Sequence, residues 1–378
     1  MELLFWVAFV AVLYTYFGYP LLVWLLACVR PKPIAQGDFS PSVSMIIAAY
    51  NEEKVIGSKM ANSMALIYPE GQFEIIVVAD GSTDQTVNIV QSYVQKGVTV
   101  LHRPARQGKT AALNHAVSVA TGEIVLFSDA NTVYEPTVIQ KIVRNFHDPS
   151  VGGVSGRKVI LKDCDRQTSQ GETAFWSYEG WLKSGESRLG SIVGADGEIF
   201  AIRRALFAPM PSFIVHDDMF LSLKIIEAGF RVIYEGEATS AEYSSKTLHD
   251  EFFLKVRYAS AGYQILTQFP KMFFPPKTFF GFQFFSHKLF RWLIPFFLLT
   301  MLLTSAVLPS LWYHSLFWGQ VSFYLAAVLG WVLMKKLGRA TLFYVPLYFC
   351  MGNAAALYGF FLHFFSTGQT SLWRKAER

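Results

Sequence analysis

The chain has 378 residues, of which 52% are hydrophobic and only 16% charged, with 34 Phe and a formal net charge of +5. Soluble globular chains carry about 25% charged residues, so this composition argues against two ordinary soluble domains. Between Arg30 and Arg291 stand 27 basic and 26 acidic residues, a balance without the basic excess that a nucleic-acid-binding face requires.

The first predicted element is a membrane span. Leu3–Val29 contains no Asp, Glu, Lys or Arg, and about 20 apolar residues suffice to cross the hydrocarbon core as a helix. The run is too long for a cleavable signal peptide and lacks its basic start. Residues 1–30 are therefore assigned to an N-terminal transmembrane helix. From Ser42 onward the pattern changes to short apolar runs of strand length: Val43–Ala49, Phe73–Ala79, Val98–Leu101 and Glu123–Ser128. Helical segments are expected at Glu52–Leu66, Asp84–Gln95, Lys109–Ala120 and Pro136–Phe146. Such alternation predicts an α/β domain, over residues 31–270, whose parallel sheet is covered on both faces.

Residues 271–292, dense in Phe with scattered Lys, His and Arg, read as an interfacial segment or a hydrophobic linker. The uncharged run Leu293–Met334 is long enough for two spans, with a turn expected near Pro309, Ser310 and His314. Lys335, Lys336 and Arg339 separate it from a last span within Ala340–Phe365. One span before the domain and about three within 293–378 are expected. Because Lys and Arg gather on the cytoplasmic side, the domain is placed in the cytoplasm, at a plasma or inner membrane. The basic tail Arg374–Arg378 then falls on the opposite side. Cys28, Cys164 and Cys350 have no metal or redox spacing, and a structural role is expected.

In a parallel α/β sheet, ligands bind at the carboxyl ends of the strands. Tyr50-Asn51-Glu52-Glu53 follows the first strand and Asp80-Gly81-Ser82-Thr83-Asp84 the second; Arg103 to Lys109 follows the third and Asp129-Ala130-Asn131 the fourth. A single acidic turn is commonly a helix cap, with Ser82 or Asp84 in that role. Four polar strand ends on one rim predict a site. Carboxylate and amide oxygens suit Mg²⁺ or Mn²⁺, which normally bridges protein to substrate phosphates, so a nucleoside diphosphate is the natural ligand. Gly108-Lys109-Thr110 mimics the end of a P-loop, but Arg103 stands where its first Gly is required, and no strand is followed by G-x-G-x-x-G.

In this order and spacing the segments resemble the family 2 glycosyltransferases, in particular the membrane-integrated branch of hyaluronan, chitin, cellulose and poly-N-acetylglucosamine synthases. Ala49-Tyr50-Asn51-Glu52-Glu53 resembles the family's opening nucleotide-binding motif, and Val78–Asp84 the motif whose Asp contacts the base. Arg106–Lys109 with Ala112-Leu113-Asn114 resembles the next block. Asp129-Ala130-Asn131 sits where the metal-binding D-x-D is expected. Gly194–Gly197 with Ala201–Arg204 resembles the acceptor-side turn, and Val215–Asp218 with Glu227–Phe230 the segment of the catalytic base.

The resemblance implies a GT-A fold and an inverting transfer from a nucleotide sugar to a glycan or lipid-linked acceptor, with polysaccharide as one class of product. A UDP-sugar such as UDP-N-acetylglucosamine or UDP-glucose is the implied donor. Ala49, Tyr50, Glu52, Asp80, Lys109 and Asp129 are implied in donor binding, and Asp129 and Asn131 in holding Mg²⁺ or Mn²⁺. Asp218 is the implied base, with Asp217 beside it and Arg257 at the leaving group. Trp176, Tyr178, Glu179 and Trp181 form either an acceptor platform or ordinary packing. Two departures stand out. Asn131 replaces the second acid of D-x-D. Leu254-Lys255-Val256-Arg257-Tyr258 keeps only the Arg of the processive Q-x-x-R-W signature, and Arg291-Trp292 has Lys288 in place of its Gln. Single transfer to a lipid-linked acceptor is therefore the alternative. An inactive nucleotide-binding module is opposed by the joint presence of Asp80, Asp129 and Asp218. A transporter is opposed by spans that hold no charged groups.

Overall fold

The computed structural model describes residues 1–161, 168–273, 278–337 and 342–365. Cys164, Arg339 and the basic tail at 374–378 lie outside the described residues. The chain divides into two compact units, one of Ala27–Leu161 with Trp176–Glu242, the other of Met1–Leu26, Lys162–Phe175 and Tyr243–Arg378. These limits differ from the charge-based boundaries. Charge marks what faces water rather than what packs together, and the polar helix Leu248–Gln268 belongs with the apolar helices.

In the first unit an eight-stranded sheet runs in the order β3-β2-β1-β4-β7-β6-β8-β5. Strands β1 (Val43–Ala49), β2 (Phe73–Asp80), β3 (Val98–Arg103) and β4 (Ile124–Asp129) are parallel, as their apolar runs predict. The other half corrects the all-parallel expectation. Strand β7 (Phe200–Arg203) is antiparallel to β4 and to β6 (Val151–Leu161), and β5 (Val133–Tyr134) is antiparallel to β8 (Arg231–Tyr243). The sheet is mixed because β7 runs against both of its neighbours, so that β6 beyond it keeps the direction of β4.

Register places the acids. Ala48 pairs with Asp129 and with Val78, while Asp80 pairs with Arg103, so Asp80 and Asp129 end their strands two rows apart at one edge of the parallel half. The strands are fixed there by a core that includes Met45, Ile47, Val77, Leu126, Ile139 and Phe146. Each such buried side chain contributes about 1.5–3 kcal/mol, more than a single rim hydrogen bond, so the core sets the register and the rim inherits it.

Among the described residues four helices, nearly all within the second unit, are long and apolar enough to cross a membrane: Glu2–Val29, Phe279–Val307, Leu311–Lys336 and Tyr344–Phe365. This is the expected order of one before the sheet and three after it. The 22-residue helix is the shortest, and at about 1.5 Å per residue it covers about 33 Å. Phe279–Val307 continues unbroken through Lys288 and Arg291, with a π turn at Phe285–Leu289. Residues 279–292, the larger part of the segment read as interfacial, thus begin this helix, because a hydropathy break at isolated charges does not interrupt backbone hydrogen bonding. Phe5 packs on Leu308 and Tyr313, and the Tyr14 hydroxyl meets Ser286 at 2.8 Å. Gly359 lets Tyr344–Phe365 approach Leu248–Gln268 closely, since a Cβ there would meet Ala259 at 2.8 Å.

Candidate active site

Asp80 closes β2 with its side chain buried. Its two carboxylate oxygens accept the Gln107 N–H at 3.2 and 3.0 Å, and one accepts the Gly108 N–H at 2.7 Å. The third strand's loop is thereby drawn onto the end of the second. Gly81 permits the approach: its φ is +69°, and a Cβ would meet the Arg106 backbone nitrogen at 2.6 Å. The Arg106 guanidinium lies 3.7 Å from the Tyr50 ring centroid, a cation–π contact that ties the third loop to the first.

The first and second loops are joined reciprocally. Asn51, at φ +52°, donates its N–H to the Ser82 hydroxyl at 3.2 Å and accepts the Thr83 N–H at 2.8 Å. The Glu52 and Glu53 N–H groups donate to Thr86 Oγ1 at 2.7 Å and Asp84 Oδ2 at 3.1 Å. Gln85 rather than Ser82 or Asp84 occupies the cap of the helix Thr86–Gln91, although Asp84 Oδ1 accepts the Thr86 N–H at 3.0 Å. Ser82 is used to hold the neighbouring loop instead. Ala49 is buried at the end of β1 and offers the site only its backbone.

Lys109 opens the helix Lys109–Val119 behind Gly108, whose φ is +97°. Its Nζ lies 3.1 Å from Asp129 Oδ1 and 3.2 Å from Asp217 Oδ2. Burial would lower the Lys109 pKa, but the charges of Asp129, Asp217 and Asp218 hold it above its ordinary value. One ammonium therefore joins the end of β4 to the first turn of the helix Asp217–Glu227, and the adjacent Gly108 joins both to Asp80. The sequence-predicted Asp80, Lys109, Asp129, Asp217 and Asp218 form one connected cluster.

Asp217 and Asp218 differ by their surroundings. Burial raises the Asp217 pKa, opposed by Lys109 and reinforced by Asp218. Burial would raise Asp218 too, yet its carboxyl is held well below the usual aspartate range by His216, Lys109 and the Met219 N–H. Asp218 Oδ1 accepts the Met219 N–H at 2.7 Å and lies 3.1 Å from His216 Nδ1, while Oδ2 accepts the Gly197 N–H at 3.0 Å. The turn at Gly194–Gly197 thus touches the predicted base directly. Asp218 is thus kept ionised by its hydrogen bonds, while Asp217 balances the cost of burial against its ion pair with Lys109.

Asp129 fits as one ligand of a hard cation. Asn131 has a single atom able to ligate, Oδ1, and its Nδ2 donates to Glu242 Oε2 at 3.0 Å. Among the described residues no group of three or more His, Cys, Asp or Glu side chains forms a metal site. The residues fit a cation shared with a ligand diphosphate, which supplies the remaining oxygens.

The loop is supported from beneath by Lys59, which the motifs do not mark. Its Nζ donates to the Thr132 carbonyl at 3.0 Å and to Thr132 Oγ1 at 3.1 Å, and lies 3.9 Å from the Tyr134 ring centroid. Burial brings its pKa down to about 7, opposed by Asp129. Of the aromatic cluster, Trp176 lies against Lys158 and Lys183, and Glu179 is buried; Trp181 is 49% exposed, its ring 6.4 Å from that of Tyr178. Arg257 belongs to the second unit, on Leu248–Gln268, its guanidinium 5.6 Å from the Tyr258 ring centroid.

Residues 44–209 match the family described as Glycosyl transferase family 2. The beta-monoglucosyldiacylglycerol synthase of Nostoc sp. is 33% identical over 168 residues, 43% of this chain and 36% of that protein. The poly-beta-1,6-N-acetyl-D-glucosamine synthase of Staphylococcus aureus is 24% identical over 209 residues, 54% of this chain and 50% of that protein. The matched stretch thus spans half or less of these relatives' length. A mannosyltransferase from Pyrobaculum calidifontis, solved with GDP-Man and Mn²⁺, aligns with a TM-score of 0.71 at 23% identity, over 97% of this chain and 100% of that chain. That likeness shows the fold, which is GT-A-like.

Proposed function

From the glycosyltransferase family 2 domain at residues 44–209, we propose that this chain is a membrane enzyme transferring a sugar, with inversion, from a nucleoside diphosphate sugar to an acceptor hydroxyl. The observation that carries the reading is the junction at Lys109, where one ammonium lies within salt-bridge distance of Asp129 and Asp217 and beside the hydrogen-bonded Asp218. The acceptor hydroxyl must lose a proton as it attacks the anomeric carbon. Asp218, held ionised, accepts it within hydrogen-bond reach. Negative charge grows on the departing diphosphate, and Lys109 stabilises it without reorganising. A divalent cation at Asp129 and Asn131 would supply further charge to that diphosphate. The Tyr50–Arg106 pair and the Asp80-anchored loop hold the nucleoside in place, a contribution to orientation rather than to bond breaking. Arg257 is assigned to the leaving-group side on its motif alone.

The proposed acceptor is a lipid-linked or lipid hydroxyl, and the proposed donor a UDP-sugar. Two observations support the lipid: Leu254 and Tyr258 replace the Gln and Trp of the processive signature, and a relative is named for a glucosylated diacylglycerol. The purified protein in lipid nanodiscs, given radiolabelled UDP-glucose, UDP-N-acetylglucosamine or GDP-mannose with Mn²⁺ or Mg²⁺, is expected to place label in the organic phase as a single-sugar lipid. Label in high-molecular-weight material would replace this acceptor with a polymer. No transfer and no thermal stabilisation by any of the donors would remove the enzyme reading, since a ligand bound by the folded state must raise its stability.

A further inference from the structure

The Asn at the second position of the acidic loop has a partner on the far side of the sheet. Pairing of β5 with β8, Val133 opposite Ala241, brings the loop after β4 against the end of β8. There Asn131 Nδ2 donates to Glu242 Oε2 at 3.0 Å. Glu242 is 1% exposed and forms an ion pair with Lys158, which also lies 3.4 Å from Glu198 Oε1 and 4.5 Å from the Trp176 ring centroid.

An amide has two faces. Its oxygen can ligate a cation and its nitrogen cannot, and the two exchange by a half-turn of the side chain. An ionised carboxylate only accepts hydrogen bonds. Glu242 therefore selects the rotamer with Nδ2 toward itself and Oδ1 turned away. An Asp at 131 would put a second acceptor oxygen about 3 Å from Glu242 Oε2, with no N–H to donate to it. Resting on the donor-site reading above, we propose that Glu242 is a positioning residue for the diphosphate–cation site: it fixes the Asn131 oxygen for ligation, and its buried charge is the reason position 131 carries an amide.

The test uses the full-length purified protein as wild type, Glu242→Gln, Asn131→Asp and the double variant, each melted alone and with Mn²⁺ plus UDP or GDP. Lys158 keeps Glu198 as a partner in all four. Gln at 242 can donate or accept, so the amide is no longer oriented, and E242Q is expected to lower the apparent Mn²⁺ affinity in the presence of nucleotide about fivefold to tenfold. N131D is expected to melt below wild type without ligand. N131D/E242Q, in which a carboxylate and an amide have changed places, is expected to recover both stability and Mn²⁺ affinity. If E242Q alone does not fold, the double variant decides: melting above N131D supports the proposal, and melting at or below it overturns it. Wild-type protein stabilised by Mn²⁺ and nucleotide while E242Q is stabilised equally overturns this proposal alone. Wild-type protein stabilised by neither nucleotide overturns the donor-site reading and this inference with it.

Discussion

At the pair Asp217-Asp218, two carboxylates adjacent in sequence receive different tasks from what each touches. Asp217 is committed to Lys109, and its charge offsets that of the ammonium. Asp218 faces the turn at Gly194–Gly197 through the Gly197 N–H and stays ionised. Its depressed pKa also means that its stabilising contribution is complete above the unfolded value of about 3.9 and fades only as pH falls through the lower folded value. Asp218→Asn keeps an oxygen to accept one of these hydrogen bonds but cannot take a proton. Turnover is expected to fall about 10²–10⁴-fold while the donor's thermal stabilisation of the protein persists; near wild-type turnover in a single-turnover assay would remove Asp218 from the base role. The motif pointed to this residue, but His216, 3.1 Å from its Oδ1, and the clamp from Glu242 did not announce themselves. Glu242 lies 111 positions from Asn131, and nothing local in the sequence links them.

Among the elements, the loops matter more than the strands and helices they join. The four strands predicted from apolar runs appear within a residue or two of their expected limits, because continuous apolar stretches bounded by polar turns leave the backbone few alternatives. The helices come out shorter: the segment expected over Glu52–Leu66 is helical only at Ile56–Met64, since its first residues are held in the reciprocal loop-to-loop hydrogen bonds. Gly81 shows how tightly that rim is built. Gly81→Ala forces a left-handed backbone on a residue with a Cβ and drives that Cβ into the Arg106 backbone, at a cost of about 1–3 kcal/mol from strain alone. The Asp80-anchored loop must move, and the donor KM is expected to rise more than about tenfold, the equivalent of about 1.4 kcal/mol, with a smaller change in kcat. An unchanged donor KM in initial-rate measurements would show that this loop does not hold the nucleoside.

For the whole molecule, the separation of charge along the chain is the governing feature. Four apolar helices frame a segment that holds nearly every Asp, Glu, Lys and Arg, and the basic residues at Arg30 and Lys335–Lys336 place that segment in the cytoplasm as a proposal. In sealed inside-out membrane vesicles, protease added outside is expected to cleave the sheet-bearing unit, and in right-side-out vesicles to spare it; the reverse pattern would turn the topology over. Composition and periodicity by themselves determined the spans, the parallel half of the sheet and the rim on which its acids would stand, because each depends on local apolar patterning. They did not determine the antiparallel half, the unbroken helix through Lys288 and Arg291, or the unit to which Leu248–Gln268 belongs. Nor did they show that Lys109 bridges Asp129 and Asp217 or that Glu242 orients Asn131. Those depend on contacts between residues far apart in the chain, and only the folded core, by fixing register, brings such side chains within reach of one another.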